Sequence, residues 1–192
     1  MYMKLRLRLA KENIFISHLE FVRSITRALR RSGLPLLYTA GCHPRVKLSL
    51  SPALALGIES QFEYVDIELN REMAPGHILA QLNKFFPEGI KVLEIRELSP
   101  LSPPLTSRKC LIIYRFNSLS EECLGKFEEF KKRGVTDNHI KEISIFSTLM
   151  EIALEVGPEG GVNPIKLLKE IGGLDQEELS KVKIEKVNFK EI

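Results

Sequence analysis

The segment MKLRLRLAK, residues 3–11, alternates leucines with basic side chains. Leu5, Leu7 and Leu9 share one parity, and the basic residues between them share the other. A period of two residues is typical of a strand with one buried face. The segment therefore predicts a strand, and with it a sheet that buries the leucine side.

The sequence predicts a helix shortly after this strand. Ser17 and Glu20 have the spacing of a capping box, in which the serine accepts from the amide three residues on and the glutamate reaches back. Gly33 and Pro35 are expected to end the helix. At 100° per residue, one face carries His18, Phe21, Val22, Ile25, Ala28 and Leu29. The opposite face carries Arg23, Arg27, Arg30 and Arg31.

The same element order continues through the first half of the chain. FEYVDIEL (62–69) and KVLEIREL (91–98) have strand alternation, and PGHILAQLNKFF (75–86) has helical spacing. With a short strand at 36–38 or 47–50, the order is β-α-β-β-α-β. This is the order of a ferredoxin-like unit, in which two helices cover one face of a four-stranded antiparallel sheet.

The second half repeats this order without visible residue identity. The segment SPLSPPLTS (99–107) is rich in proline and serine and predicts a linker. Beyond it, KCLIIYRF and KVKIEKVNF are strand-like, and Asn163 with Pro164 predicts a helix start. We therefore expect an α+β fold of two tandem ferredoxin-like (βαββαβ) units with antiparallel sheets. The predicted domains are residues 1–98 and 108–192, joined by the linker 99–107.

Composition limits the class of protein. The chain is 44% hydrophobic and has no long apolar run, so we expect a cytoplasmic protein without a membrane segment. Cys42, Cys110 and Cys123 form an odd set without C-x-x-C spacing, which argues against a disulfide framework and a zinc ribbon. Cys42 beside His43 is at most half of a metal site, so neither a metal nor a cofactor is expected.

Charge is unevenly distributed along the chain. Residues 1–50 carry ten Lys or Arg against Glu12 and Glu20, a balance of +8, whereas the rest carries 18 basic and 23 acidic residues, a balance of −5. A basic front of this kind favours a polyanionic partner. The basic side of the first strand, Lys4, Arg6 and Arg8, suits a phosphate backbone. Asp66 and Glu68 on a neighbouring strand are alternative partners for it.

The loop around residues 41–51 is the main candidate binding site. Gly41 permits positive φ, and Pro44 fixes the chain after His43. Arg45 and Lys47 alternate, so both can project to one side. Ser49 and Ser51 continue this row of donors, which suits a nucleic-acid backbone. The alternative is a rigid β-bulge or hairpin arm that packs on the second domain and has a structural role.

Residues 17–69, SHLEFVRSITRALRRSGLPLLYTAGCHPRVKLSLSPALALGIESQFEYVDIEL, resemble the bacterial radical SAM-linked family, a domain of unknown function encoded beside or fused to radical SAM proteins. Two positions depart from the family pattern: Cys42 replaces an aromatic residue and Val46 replaces a proline. The resemblance implies a non-catalytic partner of a radical SAM protein. Consistently, the three cysteines cannot supply the C-x-x-x-C-x-x-C clamp of such an enzyme's cluster.

Three functional hypotheses remain open. The first is an accessory protein that binds structured RNA for a radical SAM modification enzyme. The second is a protein-interaction module for that enzyme without RNA contact. The third is a metal-independent endoribonuclease similar to the CRISPR-repeat-processing RAMP enzymes, with His18 or His43 as acid or base. No catalytic residue is assigned, and the predicted nucleic-acid contacts are His43, Arg45, Lys47, Ser49, Arg23, Arg27, Arg30 and Arg31.

Overall fold

The alternating N-terminal segment forms strand β1, Met3–Lys11, as predicted. Leu5, Leu7 and Leu9 are fully buried. The computed structural model describes residues 2–12, 15–134 and 139–192. The chain divides into two units, Met1–Ser107 and Arg108–Ile192, which are described separately.

The described residues of the first unit form two α-helices and four strands. After β1 come α1 (His18–Arg31), β2 (Leu48–Leu50), β3 (Ile58–Leu69), α2 (Pro75–Phe85) and β4 (Ile90–Leu98). The strand order is β4-β1-β3-β2, and every neighbouring pair is antiparallel. The second strand of this unit is thus the later of the two predicted segments, while residues 36–38 form isolated bridges to Leu69 and Val46.

Helix α1 begins and docks through the residues that its pattern predicted. The Ser17 hydroxyl accepts from the Glu20 amide at 3.2 Å. Phe21, Ile25 and Leu29 are buried in one core cluster with the β1 leucines. The reciprocal half of the capping box is not formed as expected, because the Glu20 carboxylate pairs with arginines of its own helix. Helix α1 is therefore fixed on one face of the sheet, and its basic face points away from the core.

The second unit has strands β5 (Cys110–Asn117), β6 (Ile140–Phe146), β7 (Leu149–Val156) and β8 (Lys183–Glu191) in the order β8-β5-β7-β6. Its helices are α3 (Glu121–Lys132), α4 (Pro164–Glu170) and α5 (Gln176–Lys181). Helix α4 begins at the predicted Asn163 cap, whose side chain accepts from the Ile165 amide at 2.9 Å. Helix α5 was not predicted. Its capping box, Asp175 with Glu178, was the available sequence signal.

The segment rich in proline and serine, 99–107, lies in the first unit. Leu105 is buried and opens a 3-10 turn, Leu105–Ser107. The Tyr2 hydroxyl donates to the Pro100 carbonyl at 3.2 Å, and Lys4 Nζ donates to the Ser102 carbonyl at 2.6 Å. These bonds hold the segment near one end of β1.

Across the described residues the fold is mixed α+β, with eight strands and five α-helices. In the same residues, no helix combines the length and the apolar composition that crossing a membrane requires.

Candidate nucleic-acid interface

The predicted binding loop is a hairpin arm, residues 37–47. The Lys47 amide donates to the Leu37 carbonyl at 2.9 Å, and the Thr39 amide donates to the Arg45 carbonyl at 2.8 Å. The Thr39 hydroxyl also accepts from the Arg45 amide at 3.0 Å. Gly41 turns the tip with φ +117°, a conformation that side chains other than glycine rarely adopt. These hydrogen bonds fix the conformation of the arm and the register of its side chains.

One wall of a cleft in the first unit is formed by this arm. The cleft has a volume of about 700 Å³ and is bounded also by α1, by the ends of β1 and β3, by β2 and by Pro104. We call it the basic cleft after its four basic side chains, Lys4, Arg30, Arg45 and Lys47. The structure thus brings Arg30 of the predicted helix stripe together with Arg45 and Lys47 of the arm.

The rest of the basic cleft is mixed in character. Three hydroxyl groups line it, those of Thr26, Thr39 and Ser49. Four apolar side chains line it, those of Val22, Val46, Leu48 and Pro104. Two carboxylates complete it, those of Asp66 and Glu68. The lining therefore combines cationic, hydroxyl, apolar and acidic groups within one space.

The basic side chains differ in how far they are already neutralised. Lys47 Nζ lies 3.5 Å from a Glu68 carboxylate oxygen, and Lys4 binds a backbone carbonyl. Arg30 and Arg45 are both exposed, and neither has an ion-pair partner within residues 2–12, 15–134 and 139–192. Among the described residues, no direct ion pair compensates these two guanidinium groups, which are therefore accessible to a ligand.

The other three arginines of the helix stripe lie outside the cleft lining. Arg23 is 3.5 Å from Glu20, and Arg27 pairs with the other oxygen of the same carboxylate. The Arg31 guanidinium lies over the Phe85 ring at 5.8 Å, a cation–π contact. The predicted stripe is thus divided, with Arg30 in the cleft and the others engaged on the helix surface or against α2.

Two further predicted residues have different placements. His43 is exposed at the tip of the arm and is not part of the cleft lining. The Ser49 hydroxyl lines the cleft and accepts from the Thr106 amide at 3.4 Å. The expectation that Ser51 continues the row of donors is wrong. Ser51 is buried, and its hydroxyl donates to a Glu63 oxygen at 3.2 Å.

The basic side of β1 is largely compensated across the sheet, as the alternative hypothesis predicted. Arg6 makes two hydrogen bonds to Asp66, at 2.6 and 2.9 Å. Arg8 bonds Glu94 on β4 at 3.1 Å. Glu68 does not take part in this pairing and instead faces Lys47. The face offers little uncompensated charge for a phosphate backbone.

A buried polar cluster in the first unit was missed by the sequence interpretation. Lys11 and Glu63 are 1% and 2% exposed, although both are ionisable. Burial lowers the pKa of Lys11, and Glu63 opposes this shift. Both residues have the parity of the buried leucines and valines on their strands, and this parity was the available signal.

His18, the first residue of α1, lies close to this cluster. Burial lowers the pKa of His18; nearby Glu63 raises it, and Lys11 lowers it further. The ring is therefore held neutral in the folded chain over a wider pH range than in a free histidine.

We expect stability to fall as the pH drops below about 6.5, the ordinary pKa of histidine. In that range the unfolded chain binds a proton at His18 that the folded chain does not yet bind. The fall should level off below the folded-state pKa. Thermal unfolding between pH 7.5 and 5 should show this His18-dependent loss of stability in the wild type. The variant His77→Gln should show the same loss, because His77 is an exposed histidine on α2. His18→Gln should lack it, and parallel curves for all three proteins would contradict the assignment.

The cysteines are dispersed. Cys42 is exposed at the arm tip, and Cys110 and Cys123 are buried. Burial raises the pKa of each buried thiol to about 11, so both are protonated at neutral pH. In the described parts of the chain, no group of three or more His, Cys, Asp or Glu side chains could hold a metal ion.

The fold and the site define a mixed α+β protein with a basic cleft in its first unit. Residues 4–156 match the family described as "Uncharacterized protein conserved in bacteria (DUF2344)", and the chain belongs to this family. No curated protein matches the sequence.

Two solved structures align with this chain along its whole length, at low identity and low structural similarity. One is the crystal structure of an unknown protein from Galdieria sulphuraria, with 17% identity and a TM-score of 0.31, over 100% of this chain and 99% of that chain. The other is a candidate transcriptional repressor of the glycine cleavage system, with 12% identity and a TM-score of 0.29, over 100% and 99% of the two chains.

Proposed function

We propose that this chain is an accessory RNA-binding protein that works with a radical SAM modification enzyme in the cytoplasm, and that the basic cleft holds the RNA backbone. The observation that carries the proposal is the placement of Arg30 and Arg45. Both are exposed, both line the same cleft, and neither has an ion-pair partner in the described parts of the chain.

Phosphate is the ligand chemistry that this arrangement favours. A guanidinium group is permanently charged and presents a planar fork that can bind two phosphate oxygens. Arg30 comes from α1 and Arg45 from the arm, so the two forks approach the cleft from different elements. The nearby hydroxyls of Thr39 and Ser49 can bind further backbone oxygens. A chain of phosphates uses such a set better than a single anion does.

We interpret each unit as ferredoxin-like. Both strand orders, β4-β1-β3-β2 and β8-β5-β7-β6, place the first strand of the unit between its fourth and its third. Helices follow the first and third strands in both units. This is the arrangement expected of a βαββαβ unit, with the second crossover of the second unit split into α4 and α5.

The radical SAM partner is supported by the resemblance of residues 17–69. That block supplies α1, the arm, β2 and β3, and hence Arg30, Arg45 and Lys47. If the partner modifies RNA, an accessory protein that contributes the backbone contacts leaves the enzyme to handle the reacting base. In this division of work the chain itself needs neither a metal nor a nucleophile.

Purified full-length chain and a fluorescent structured RNA test the first part of the proposal. Anisotropy should rise with chain concentration at low salt, and affinity should fall linearly with salt on logarithmic axes. The RNA should remain intact in EDTA. Absence of binding at low salt would contradict RNA binding, and cleavage would instead favour the endoribonuclease.

The partner is tested by affinity purification of the tagged chain from its own bacterium, with and without ribonuclease. We expect the radical SAM protein to co-purify along with RNA. Retention after ribonuclease treatment indicates direct protein contact, and loss indicates bridging by RNA. If the radical SAM protein is recovered without any RNA, the interaction-module hypothesis replaces the accessory one.

The division of the helix stripe gives a further prediction. Arg23→Ala with Arg27→Ala should change RNA affinity by less than about threefold. Exposed charges outside the cleft interact with a bound polyanion only across solvent, where salt screens the interaction. Both arginines are paired with Glu20 and lie outside the cleft lining. The dissociation constant from anisotropy measures this. A loss as large as that from removing Arg30 would assign the whole stripe to the interface.

A further inference from the structure

The two carboxylates of the basic cleft are differently engaged. Both oxygens of Asp66 accept from Arg6, at 2.6 and 2.9 Å. Glu68 faces Lys47 Nζ at 3.5 Å, but its carboxylate accepts no hydrogen bond among the residues that the structure describes. The Glu68 side chain is 24% exposed. Glu68 is therefore the acidic acceptor in the cleft with hydrogen-bonding capacity left for a ligand.

A carboxylate inside a phosphate-binding cleft restricts the ligand. An ionised carboxylate only accepts hydrogen bonds, so it repels phosphate oxygens and attracts hydroxyl donors. Lys47 offsets part of the repulsion, since it lies against the same carboxylate. A ligand that satisfies Arg30, Arg45 and Glu68 together must carry both anionic groups and a hydrogen-bond donor beside them. A ribonucleotide chain has both, whereas the sugar of DNA lacks the 2′-hydroxyl donor.

We propose that Glu68 accepts a hydrogen bond from a ribose 2′-hydroxyl, and that the basic cleft thereby selects RNA over DNA. This inference rests on the proposed function, because it assumes that the cleft holds a nucleic-acid backbone. Bound DNA would exclude water from the Glu68 carboxylate, but it has no 2′-hydroxyl group to donate a hydrogen bond in place of that water. Leaving an acceptor unsatisfied in this way disfavours the wrong ligand more than the bond favours the right one.

The Glu68 side chain is held in a suitable position by the sheet. Glu68 lies on β3 directly opposite Lys4 of β1, and its backbone carbonyl accepts from the Leu37 amide at 2.8 Å. The arm that carries Arg45 and Lys47 begins at this bond. The carboxylate and the arm cations are therefore fixed in one register, which is what discrimination by a single hydroxyl requires.

The test compares two labelled ten-nucleotide probes, oligouridylate and oligodeoxyuridylate, which differ only at the 2′ position. Full-length wild type should bind the ribose probe about tenfold more tightly, the order typical of one hydrogen bond to a charged acceptor. Glu68→Met removes the acceptor while keeping side-chain length, and the ratio should fall close to one. Glu68→Gln keeps a neutral acceptor and should be intermediate.

Glu72→Gln is the matched control, because Glu72 is exposed and does not line the cleft. It should keep the tenfold ratio. Far-UV circular dichroism verifies that each variant is folded. If Glu68→Met does not fold, Glu68→Gln tests the inference in its place. Equal binding of both probes by wild type, or a full preference retained in a folded Glu68 variant, overturns the inference and leaves RNA binding intact. Failure of wild type to bind either probe overturns this inference, and failure to bind the structured RNA as well overturns the proposed function with it.

Discussion

Arg30→Ala combined with Arg45→Ala is expected to weaken RNA binding about 100-fold. Each side chain lines the basic cleft, and neither has an ion-pair partner in the described residues, so each is available for a phosphate contact. A charge-assisted contact of this kind contributes roughly 1.5 kcal/mol, close to a factor of ten in affinity. Equilibrium anisotropy with the same structured RNA measures the loss.

The salt dependence of the same double variant separates a lost contact from a general charge effect. Measured with the single-stranded oligouridylate probe, each phosphate contact contributes about −0.7 to the slope of log affinity against log salt, so the slope should flatten by roughly 1.4. Arg71→Ala with Lys84→Ala removes the same charge from exposed positions outside the cleft lining and should leave the slope unchanged. If both double variants flatten the salt slope equally, the first unit attracts RNA only through its net charge.

Ile25→Ala is expected to lower the free energy of unfolding by about 3 kcal/mol, within the range typical of truncating a buried isoleucine. Ile25 is fully buried between α1 and the sheet, in the same cluster as Leu7 and Ile67. Because α1 carries Arg30, this packing also fixes one wall of the basic cleft. Urea unfolding followed by far-UV circular dichroism measures the change.

Leu19→Ala provides the control for this truncation. Leu19 lies on the same helix but is 58% exposed, so its truncation should change stability by no more than about 0.5 kcal/mol. If the two variants are equally stable, helix α1 does not dock through the Ile25 face, and the placement of Arg30 in the cleft is wrong as well.

Patterns within single elements predicted much of the first unit. The leucine alternation of β1 and the apolar stripe of α1 appear as predicted, because burial of one face dictates both periods. These results depend only on local geometry, which the sequence encodes directly. Arg45, Lys47 and Ser49 all line one cleft, but Val46 and Leu48 between them line it too, so the alternation alone does not explain that lining.

The errors arise where a residue's partner lies elsewhere in the chain. The arginine stripe has an acidic partner that i+4 spacing does not reveal, because Glu20 precedes Arg23 by three residues and Arg27 by seven. Ser51 leaves the predicted row because Glu63, on the neighbouring β3, accepts its hydroxyl hydrogen inside the core.

The composition of the basic cleft required the tertiary structure. Lys4 and Glu68 are directly opposite each other in the register of β1 and β3, and Pro104 lies 100 positions after Lys4 in the chain. No spacing within one element places these residues beside Arg30. Among these residues, Glu68 was considered only as a cross-strand partner of the β1 arginines, a role that Asp66 fills instead.

Hydrogen–deuterium exchange with saturating RNA tests most directly whether the basic cleft is the binding site. We expect slower exchange in peptides that cover residues 22–30 and 37–49, which form the α1 wall, the arm and β2. Peptides from α3, Glu121–Lys132, serve as the internal reference and should be unchanged. Protection that spares residues 37–49 and appears elsewhere in the chain would contradict the assignment of the cleft as the RNA site.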